Sequence, residues 1–322
     1  MSKTRALFFR SINQLQTLGQ PKLTTLIYHQ VLPEADPLRP WEIDLNRFRQ
    51  HMSWIANSYR VIPLSEAIQK LANGTLEKGC ACITFDDGYR NNATVAASVL
   101  NEFGFNATFF CTSAYLDGDM MWNDKVIEAI RHWPHQRLSL EPLEITDLPV
   151  GTVEEKRSAS LTVLNKLKYA EFSDRKIIAD GLLKQSAASP ERMMMNAEEI
   201  LQLKGKGMTI GGHTHEHPIL ARLQPEQAAW QIQQNKELLE NIIDEPIDLF
   251  AYPNGKPGVD YCQEHLQMVR DAGYRAAMST SPGTAGKQAD LFQIPRFTPW
   301  DKTATRFLTR LSLNFQTQPN LI

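Results

Sequence analysis

The sequence lacks a hydrophobic run long enough to cross a membrane. A spanning helix needs about 20 consecutive apolar residues, whereas the apolar patch near the N-terminus is interrupted at Arg10 and is too short for the core of a signal peptide. The sequence therefore predicts a cytoplasmic protein without a transmembrane segment. Apolar residues recur at near-helical spacing within residues 1–19. This pattern predicts an amphipathic helix that either docks on the protein or lies on a membrane surface as a peripheral contact.

Cysteine is scarce, and neither sign of charge is in large excess. The chain of 322 residues contains 4 cysteines, and their spacing does not match a metal-binding pattern. We expect reduced thiols rather than a disulfide framework. The formal net charge is -2, which argues against a globally basic nucleic-acid-binding protein.

Two adjacent carboxylates, Asp86 and Asp87, follow a short apolar run and precede Gly88. A buried strand that ends here places both acids at the carboxyl edge of a sheet, where ligands and catalytic groups lie in α/β proteins. Neighbouring side chains on an extended backbone point in opposite directions, so one acid could bind a metal while the other acts as a base. The alternative interpretation is a solvated Asp-Asp-Gly turn.

Strand and helix patterns alternate before residue 120 and after residue 195, which indicates an α/β protein with a parallel sheet or barrel. Phe292 to Ile294 is predicted as the last strand. Between about residues 120 and 195 we find helical patterns and no strand. We interpret residues 1–322 as a single catalytic domain that carries a helical insertion at about 120–195. The position of this insertion suggests a lid or a wall of the substrate site.

His213 and His217 are four residues apart, directly after a strand pattern and a Gly-Gly pair. Two imidazoles at this spacing can converge on one ion if the loop makes a helical turn. Together with one carboxylate they would leave coordination positions open for water and substrate, as in hydrolytic zinc sites. The alternative is a polar loop whose histidines are hydrogen-bonded to the backbone.

The two stretches together are more specific than either alone. Residues 84–88 (Thr-Phe-Asp-Asp-Gly), followed by residues 213–217 (His-Thr-His-Glu-His), resemble the first two motifs of the polysaccharide deacetylases, carbohydrate esterase family 4. Tyr28-His29 resembles the start of a bacterial branch that includes poly-N-acetylglucosamine deacetylases. Residues 250–255 and 291–296 resemble later motifs. The resemblance implies a distorted (β/α) barrel of about seven strands.

The resemblance also implies a role for each matched residue. Asp87, His213 and His217 match the metal ligands of the family, and zinc is the expected metal, with cobalt or nickel as alternatives. Asp86 matches the general base that deprotonates the attacking water. Asn254 replaces a residue whose backbone N–H stabilises the oxyanion. An amide is a poor electrophile, so its hydrolysis requires a Lewis acid on the carbonyl, a base for the water and an acid for the leaving amine.

The sequence departs from the family pattern at two places. Ala251 occupies the position of an arginine that orients the base, and residues 292–296 lack the histidine that serves as general acid. Arg296 ends a neighbouring predicted strand, so we predict that it pairs with Asp86 instead. His29 also ends a strand at the same edge and matches the acid of one branch. The alternative for His29 is a hydrogen-bonded core histidine.

The resemblance therefore predicts a metal-dependent hydrolase that acts on a non-peptide C–N bond. The expected substrate is an N-acylated, most often N-acetylated, amino sugar of a glycan or a lipid-linked intermediate. Trp122, Tyr252 and Trp300 are the predicted substrate-binding aromatics. Two alternatives are an inactive glycan-binding relative, in keeping with the missing arginine and acid, and a deacylase of a small non-sugar amide.

Overall fold

The computed structural model describes residues 20–168 and 170–322, in which strands and helices alternate along most of the chain. The strands are β1 (Thr24–Tyr28), β2 (Val31–Leu32), β3 (Ile43–Asp44), β4 (Arg60–Val61), β5 (Cys80–Phe85), β6 (Thr108–Cys111), β7 (Arg137–Leu140), β8 (Ile145–Pro149), β9 (Thr209–Gly212), β10 (Leu249–Ala251) and β11 (Ala276–Met278). The α-helices are α1 (Leu45–Ala56), α2 (Leu64–Ala72), α3 (Ala97–Glu102), α4 (Trp122–Arg131), α5 (Val153–Leu167), α6 (Phe172–Gln185), α7 (Ala197–Gly205), α8 (Pro225–Ile243), α9 (Gln263–Asp271) and α10 (Ala304–Asn314). A π-helical turn spans Asn92–Ala96, and 3₁₀ turns span Glu141–Leu143, Leu220–Arg222 and Leu291–Gln293.

The main sheet is parallel and curls into a half-barrel flanked by helices. Its strand order is β1–β5–β6–β9–β10–β11, and β4 also pairs with β5. Residues 294–297 connect the two edges of this sheet, because Ile294 pairs with β11 and Phe297 pairs with β1. The Ile294 N–H donates to the Ala277 carbonyl at 2.9 Å, and the Phe297 N–H donates to the Thr25 carbonyl at 2.8 Å. The predicted distorted barrel is confirmed.

The central strands are buried on both faces, as expected for parallel strands covered by helices. Every residue of β1, β5 and β6 is buried. Near the carboxyl ends of these strands the rings of Phe85 and Phe109 stack with centroids 4.7 Å apart, and Tyr28 stacks on Phe85 at 5.5 Å. Because β5 is packed from both sides down to Phe85, the position of the following residues is fixed by the core.

The segment at 120–195 is not purely helical, so the expectation that it contains no strand is wrong. It contains α4, α5 and α6, and also the antiparallel hairpin of β7 and β8. Leu138 and Leu140 are buried and alternate with exposed neighbours, which is the periodicity of a half-buried strand. Glu144 adopts a positive φ of 52° and ends the turn between the strands. The signal was therefore present, but it covers only four residues.

The strand predicted at Phe292 to Ile294 is also wrong. Residues Leu291–Gln293 form a 3₁₀ turn in which the Asp290 carboxylate accepts a hydrogen bond from the Phe292 N–H at 2.9 Å. The chain becomes extended only at Ile294, where it bridges the sheet edges. The side-chain cap competes with strand pairing over these three residues.

Three further expectations concern the N-terminal helix, membrane-spanning segments and the cysteines. The predicted amphipathic helix falls within residues 1–19, outside the described residues. No helix in the described ranges has the length and apolar character required for a membrane span. Cys80, Cys82 and Cys111 are buried free thiols, as expected for reduced cysteines, whereas Cys262 is exposed.

The glycine pair before His213 has a steric role that can be tested with Gly212→Ala. A Cβ at this position would collide with the Tyr274 hydroxyl and would lie 2.7 Å from Asn235 Oδ1. We expect a loss of about 1–3 kcal/mol in the free energy of unfolding, measured by urea denaturation, because the site is already filled. Gly181→Ala in α6 is the control, since a Cβ there would contact nothing within 4 Å. Equal stability of the two variants would contradict this interpretation.

Candidate functional site

The carboxyl ends of the strands meet at the floor of an open cavity of about 1180 Å³. Asp86 and Asp87 follow β5, His213 follows β9 and Asn254 follows β10, and all four line this cavity. His29, which follows β1, lines it as well. The structure thus brings together residues that are up to 225 positions apart.

Asp87, His213 and His217 converge on one point. Nε2 of His213 and Nε2 of His217 each lie 3.3 Å from Asp87 Oδ1. Tetrahedral coordination with bonds of about 2.0–2.1 Å separates ligand atoms by a similar distance, about 3.3–3.4 Å. Asp87 Oδ1 is buried and accepts no hydrogen bond within the described part of the chain. An orphaned carboxylate oxygen between two imidazole nitrogens fits a divalent cation, so these residues could hold one.

The orientation of His213 is fixed by its surroundings. Its Nδ1 lies 2.7 Å from the Ala251 carbonyl, so Nδ1 carries the proton and Nε2 presents a lone pair toward Asp87. The His213 N–H donates to Asn235 Oδ1 at 2.9 Å, and Asn235 Nδ2 donates to the Cys111 carbonyl at 3.0 Å. Helix α8 and strands β6 and β10 therefore hold this imidazole in the tautomer that a metal requires.

Two of these three side chains extend from strained backbone. Asp87 has a φ of 76° and His217 a φ of 56°, a region that non-glycine residues adopt at a cost of about 1–3 kcal/mol. The Asp87 carbonyl is held by the Thr112 hydroxyl, which donates to it at 2.8 Å. Strain that is maintained by the surrounding structure is typical of functional sites.

For Asp87 and His217, two of the three candidate ligands, the pKa shifts favour the deprotonated form that binds a cation. Burial alone would raise the pKa of Asp87, but the nearby histidines, His217 foremost, outweigh it and hold this pKa below its usual value. Burial lowers the pKa of His217 to about 3, so its imidazole is neutral at pH 7. Burial also acts to lower the pKa of His213, but Asp86 and Asp87 outweigh it and the net shift is upward.

Asp86 is held by Arg296 in a buried bidentate pair. Arg296 NH1 lies 2.6 Å from Asp86 Oδ1, and NH2 lies 2.7 Å from Oδ2. Arg296 Nε donates to the Ser279 carbonyl at 2.8 Å, and this third hydrogen bond fixes the orientation of the guanidinium. Burial acts to raise the pKa of Asp86, but Arg296 and His213 outweigh it and the net pKa is lowered. The contact between Arg296 and Asp86 is the one expected from the order of the strands.

His29 faces the cavity rather than the core. Its charge contributes to the lowered pKa values of Asp86 and Asp87, and its carbonyl accepts a hydrogen bond from Asn92 Nδ2 at 2.8 Å. Sequence reasoning missed Glu42, which lines the same cavity. Burial raises the pKa of Glu42 to about 7, while His29 acts in the opposite direction. Glu42 lies in a proline-rich loop and belongs to no recognised motif, so its sequence offered no signal.

Asn254 presents a backbone donor to the cavity. Its φ is 57°, and its carbonyl accepts the Thr280 hydroxyl at 2.6 Å. Its N–H makes no hydrogen bond to any of the described residues. The turn therefore leaves one amide proton available for a ligand in the cavity.

The predicted aromatic residues are in different environments. Trp122 and Trp300 line the cavity, and Trp300 is 53 % exposed. The expectation for Tyr252 is wrong, because its side chain is fully buried and stacks on Tyr261 with centroids 3.9 Å apart. The chain turns after β10, so Tyr252 points into the core instead of the cavity. Trp41, which sequence reasoning missed, is 43 % exposed and lines the cavity.

The proposed ligand set can be tested with His217→Ala. We expect the variant to lose at least about tenfold in zinc affinity, because one of three protein ligands is removed. Metal content after zinc reconstitution, measured by plasma mass spectrometry, is the readout. His215→Ala is the matched control from the same loop, since His215 contacts Ser113 Oγ at 2.9 Å and is not part of the metal group. Full zinc content in the His217 variant would contradict the assignment.

Comparisons with known proteins agree with the geometry. The sequence model of a family described as polysaccharide deacetylase matches residues 73–137 and 177–277, just over half of the chain. A curated relative, the polysaccharide deacetylase YxkH of Bacillus subtilis, is 22 % identical over 284 residues, which cover 88 % of this chain and 73 % of the relative.

Two solved structures share the fold. The deacetylase PplD of Streptococcus pyogenes, in complex with acetate, has a TM-score of 0.62 at 16 % identity, and the alignment covers 91 % of this chain and 99 % of PplD. IcaB from Ammonifex degensii has a TM-score of 0.60 at 16 % identity, with coverage of 91 % and 97 %. The two ranges matched by the family model cover just over half of the chain and include Asp86, Asp87, His213 and His217. The chain therefore belongs to the polysaccharide deacetylase family.

Proposed function

We propose that this protein is a metal-dependent N-deacetylase that acts on an amino sugar of a glycan or of a lipid-linked glycan intermediate. One observation carries the proposal: the Asp87, His213 and His217 ligand atoms lie within 4.8 Å of one another on the floor of the cavity that Asp86, the buried partner of Arg296, also lines. The family assignment supports deacetylation, and the donor set of one carboxylate and two imidazoles supports zinc.

Each of the residues around the metal group has a separate role in amide hydrolysis. A bound divalent cation would polarise the acetyl carbonyl and favour ionisation of water. Asp86 accepts the proton of the attacking water, and its lowered pKa keeps it ionised at neutral pH. The Asn254 N–H donates to the carbonyl oxygen as negative charge develops there. His29 then protonates the departing nitrogen, so that the C–N bond breaks and yields acetate and a free amine.

Arg296 compensates for the arginine that the usual motif places at Ala251. An orienting arginine must fix the carboxylate of the base, and Arg296 does so with two parallel hydrogen bonds from the closing segment of the barrel. Removal of Arg296 would leave a buried carboxylate without a partner. An inactive glycan-binding relative would not need this pair, so the pair favours the enzyme.

The shape of the cavity supports a sugar substrate. Trp41 and Trp300 are exposed aromatics that line it, and Trp122 lines it together with residues of α5. Aromatic faces of this kind suit the apolar faces of sugar rings. PplD binds acetate, which would be the second product of N-deacetylation here. Because we predict a cytoplasmic location, a biosynthetic intermediate fits better than a finished wall polymer.

Acetate release from a panel of N-acetylated oligosaccharides and lipid-linked sugars tests this proposal. We expect release after loading with Zn²⁺ or Co²⁺ and loss of release after treatment with a chelator. Binding of the oligosaccharides without any release would favour the inactive relative. Release from small acetamides alone would favour the non-sugar deacylase.

The role of the base is tested with Asp86→Asn. We expect kcat/KM to fall by about two to four powers of ten, because the amide cannot accept the proton of water. Zinc content should stay at the wild-type level, since the three ligand residues are unchanged. Near-normal turnover would remove Asp86 from the mechanism. Loss of zinc would instead assign Asp86 to the metal site.

The orienting role of Arg296 is tested with Arg296→Gln through the pH dependence of kcat/KM. Asp86 must be ionised to act as a base, and the adjacent cation lowers its pKa. Removing the cation raises this pKa, so we expect the acid-side loss of activity to begin about 1–3 pH units higher. Arg296→Lys, which keeps the charge, should shift the profile less. An unchanged acid limb in the glutamine variant would contradict the pairing.

A further inference from the structure

Arg175 is a buried cation without a carboxylate partner. Its side chain is 4 % exposed, and its guanidinium lies over the rings of Trp122 at 4.9 Å and Phe172 at 5.3 Å. Its one hydrogen bond within the described residues runs from NH1 to the Lys168 carbonyl at 3.4 Å. No carboxylate of the described residues lies within ion-pair distance of it, and residues 1–19 and 169 contain neither aspartate nor glutamate.

The other two buried arginines of the described residues form ion pairs with carboxylates. Arg39 contacts Asp124 at 2.9 Å and Glu128 at 2.6 Å, and Arg296 contacts Asp86. These acids outweigh the effect of burial and raise the pKa of Arg39, whereas in Arg175 burial prevails and lowers the pKa. Burying a charge without a counter-charge is unfavourable for folding. We therefore infer that an anion from outside the chain pairs with Arg175.

Arg175 lines the same cavity as the proposed metal ligands. His217, one of these proposed ligands, and Arg175 both line it. It lies in the first turn of α6, within residues 138–176, which separate the two ranges matched by the family model. Trp122 and Lys168 line the cavity beside it. Arg175 and Lys168 therefore lie outside the ranges that the family model matches, whereas Trp122 lies within the first of them.

We propose that Arg175 binds an anionic group of the substrate, a phosphate ester or a carboxylate, close to the N-acetyl group that is hydrolysed. The inference rests on the proposed deacetylation and narrows its substrate to a negatively charged glycan. A guanidinium offers a planar fork of N–H donors that matches both anions, and the indole of Trp122 holds its plane in place. The bound anion supplies the counter-charge that the protein itself does not.

The test compares three matched substrates: a neutral N-acetylglucosamine tetrasaccharide, the same compound with a reducing-end phosphate, and the same compound with a carboxylate. We expect the wild type to prefer one anionic form, and the preferred form identifies the source of the charge. Arg175→Met should reduce the anionic-to-neutral ratio of kcat/KM by about tenfold or more, mainly through KM. Lys302→Gln removes a positive charge from another part of the cavity lining and should keep the ratio.

The stability of the same variants separates binding from a structural role. Methionine keeps the length and apolar packing of Arg175, and it removes an unpaired buried charge, so its melting temperature should equal or exceed that of the wild type. Arg175→Lys should retain part of the selectivity. A lower melting temperature with an unchanged ratio would show that Arg175 only packs against Trp122, and would overturn the inference.

A binding experiment separates this inference from the proposed function. Calorimetric titration of Asp86→Asn with the phosphorylated and carboxylated sugars measures affinity without turnover. Binding that Arg175→Met weakens, in a protein that releases no acetate, would support the anion site while the deacetylase proposal fails. Equal affinity for charged and neutral sugars, with acetate released from both, would overturn the anion site and leave the deacetylase proposal intact.

Discussion

The buried pair of Asp86 and Arg296 is the constraint on which the rest of the site depends. Burial of a carboxylate is unfavourable unless it is paired and hydrogen-bonded, and here the partner comes from the segment that closes the barrel. The hydrogen bonds of Ile294 and Phe297 to the two sheet edges thus also position Arg296 against Asp86. Closure of the barrel and placement of this ion pair therefore depend on the same residues, 294–297.

The strained loops around this pair follow from the same geometry. Asp87, His217 and Asn254 all adopt positive φ values, and each extends from a loop at the carboxyl edge of the sheet. A positive φ turns the backbone out of the extended conformation, so each loop departs from the direction of the strand that it follows. The packed strands below, with Phe85 stacked on Phe109, provide the rigidity that maintains this strain.

Sequence reasoning predicted those parts of the site in which residue type and strand order carry the information. Asp87 and His217 lie together because each follows a strand of one parallel sheet. Arg296 was predicted from a strand that does not form, and the extended residues 294–297 place it beside Asp86 instead. The direction in which a side chain points was harder to predict from the sequence. Tyr252 directly follows a strand, yet its side chain is buried in the core. Glu42 was missed because its environment is created by loops that are distant in sequence.

The wall of the cavity shows why the choice of substrate is harder to predict than the chemistry. Arg39 ties the proline-rich loop to α4 through Asp124 and Glu128, so this loop and the 120–195 segment form one continuous wall. Tyr89, which lies just beyond Asp86 and Asp87, donates to Asp124 at 2.9 Å and joins that wall to the sheet edge. Asp86, Asp87 and His213 are positioned by the strands that they follow, whereas the wall depends on ion pairs between segments that no local periodicity links. Differences in substrate among proteins with this site should therefore arise mainly from the wall.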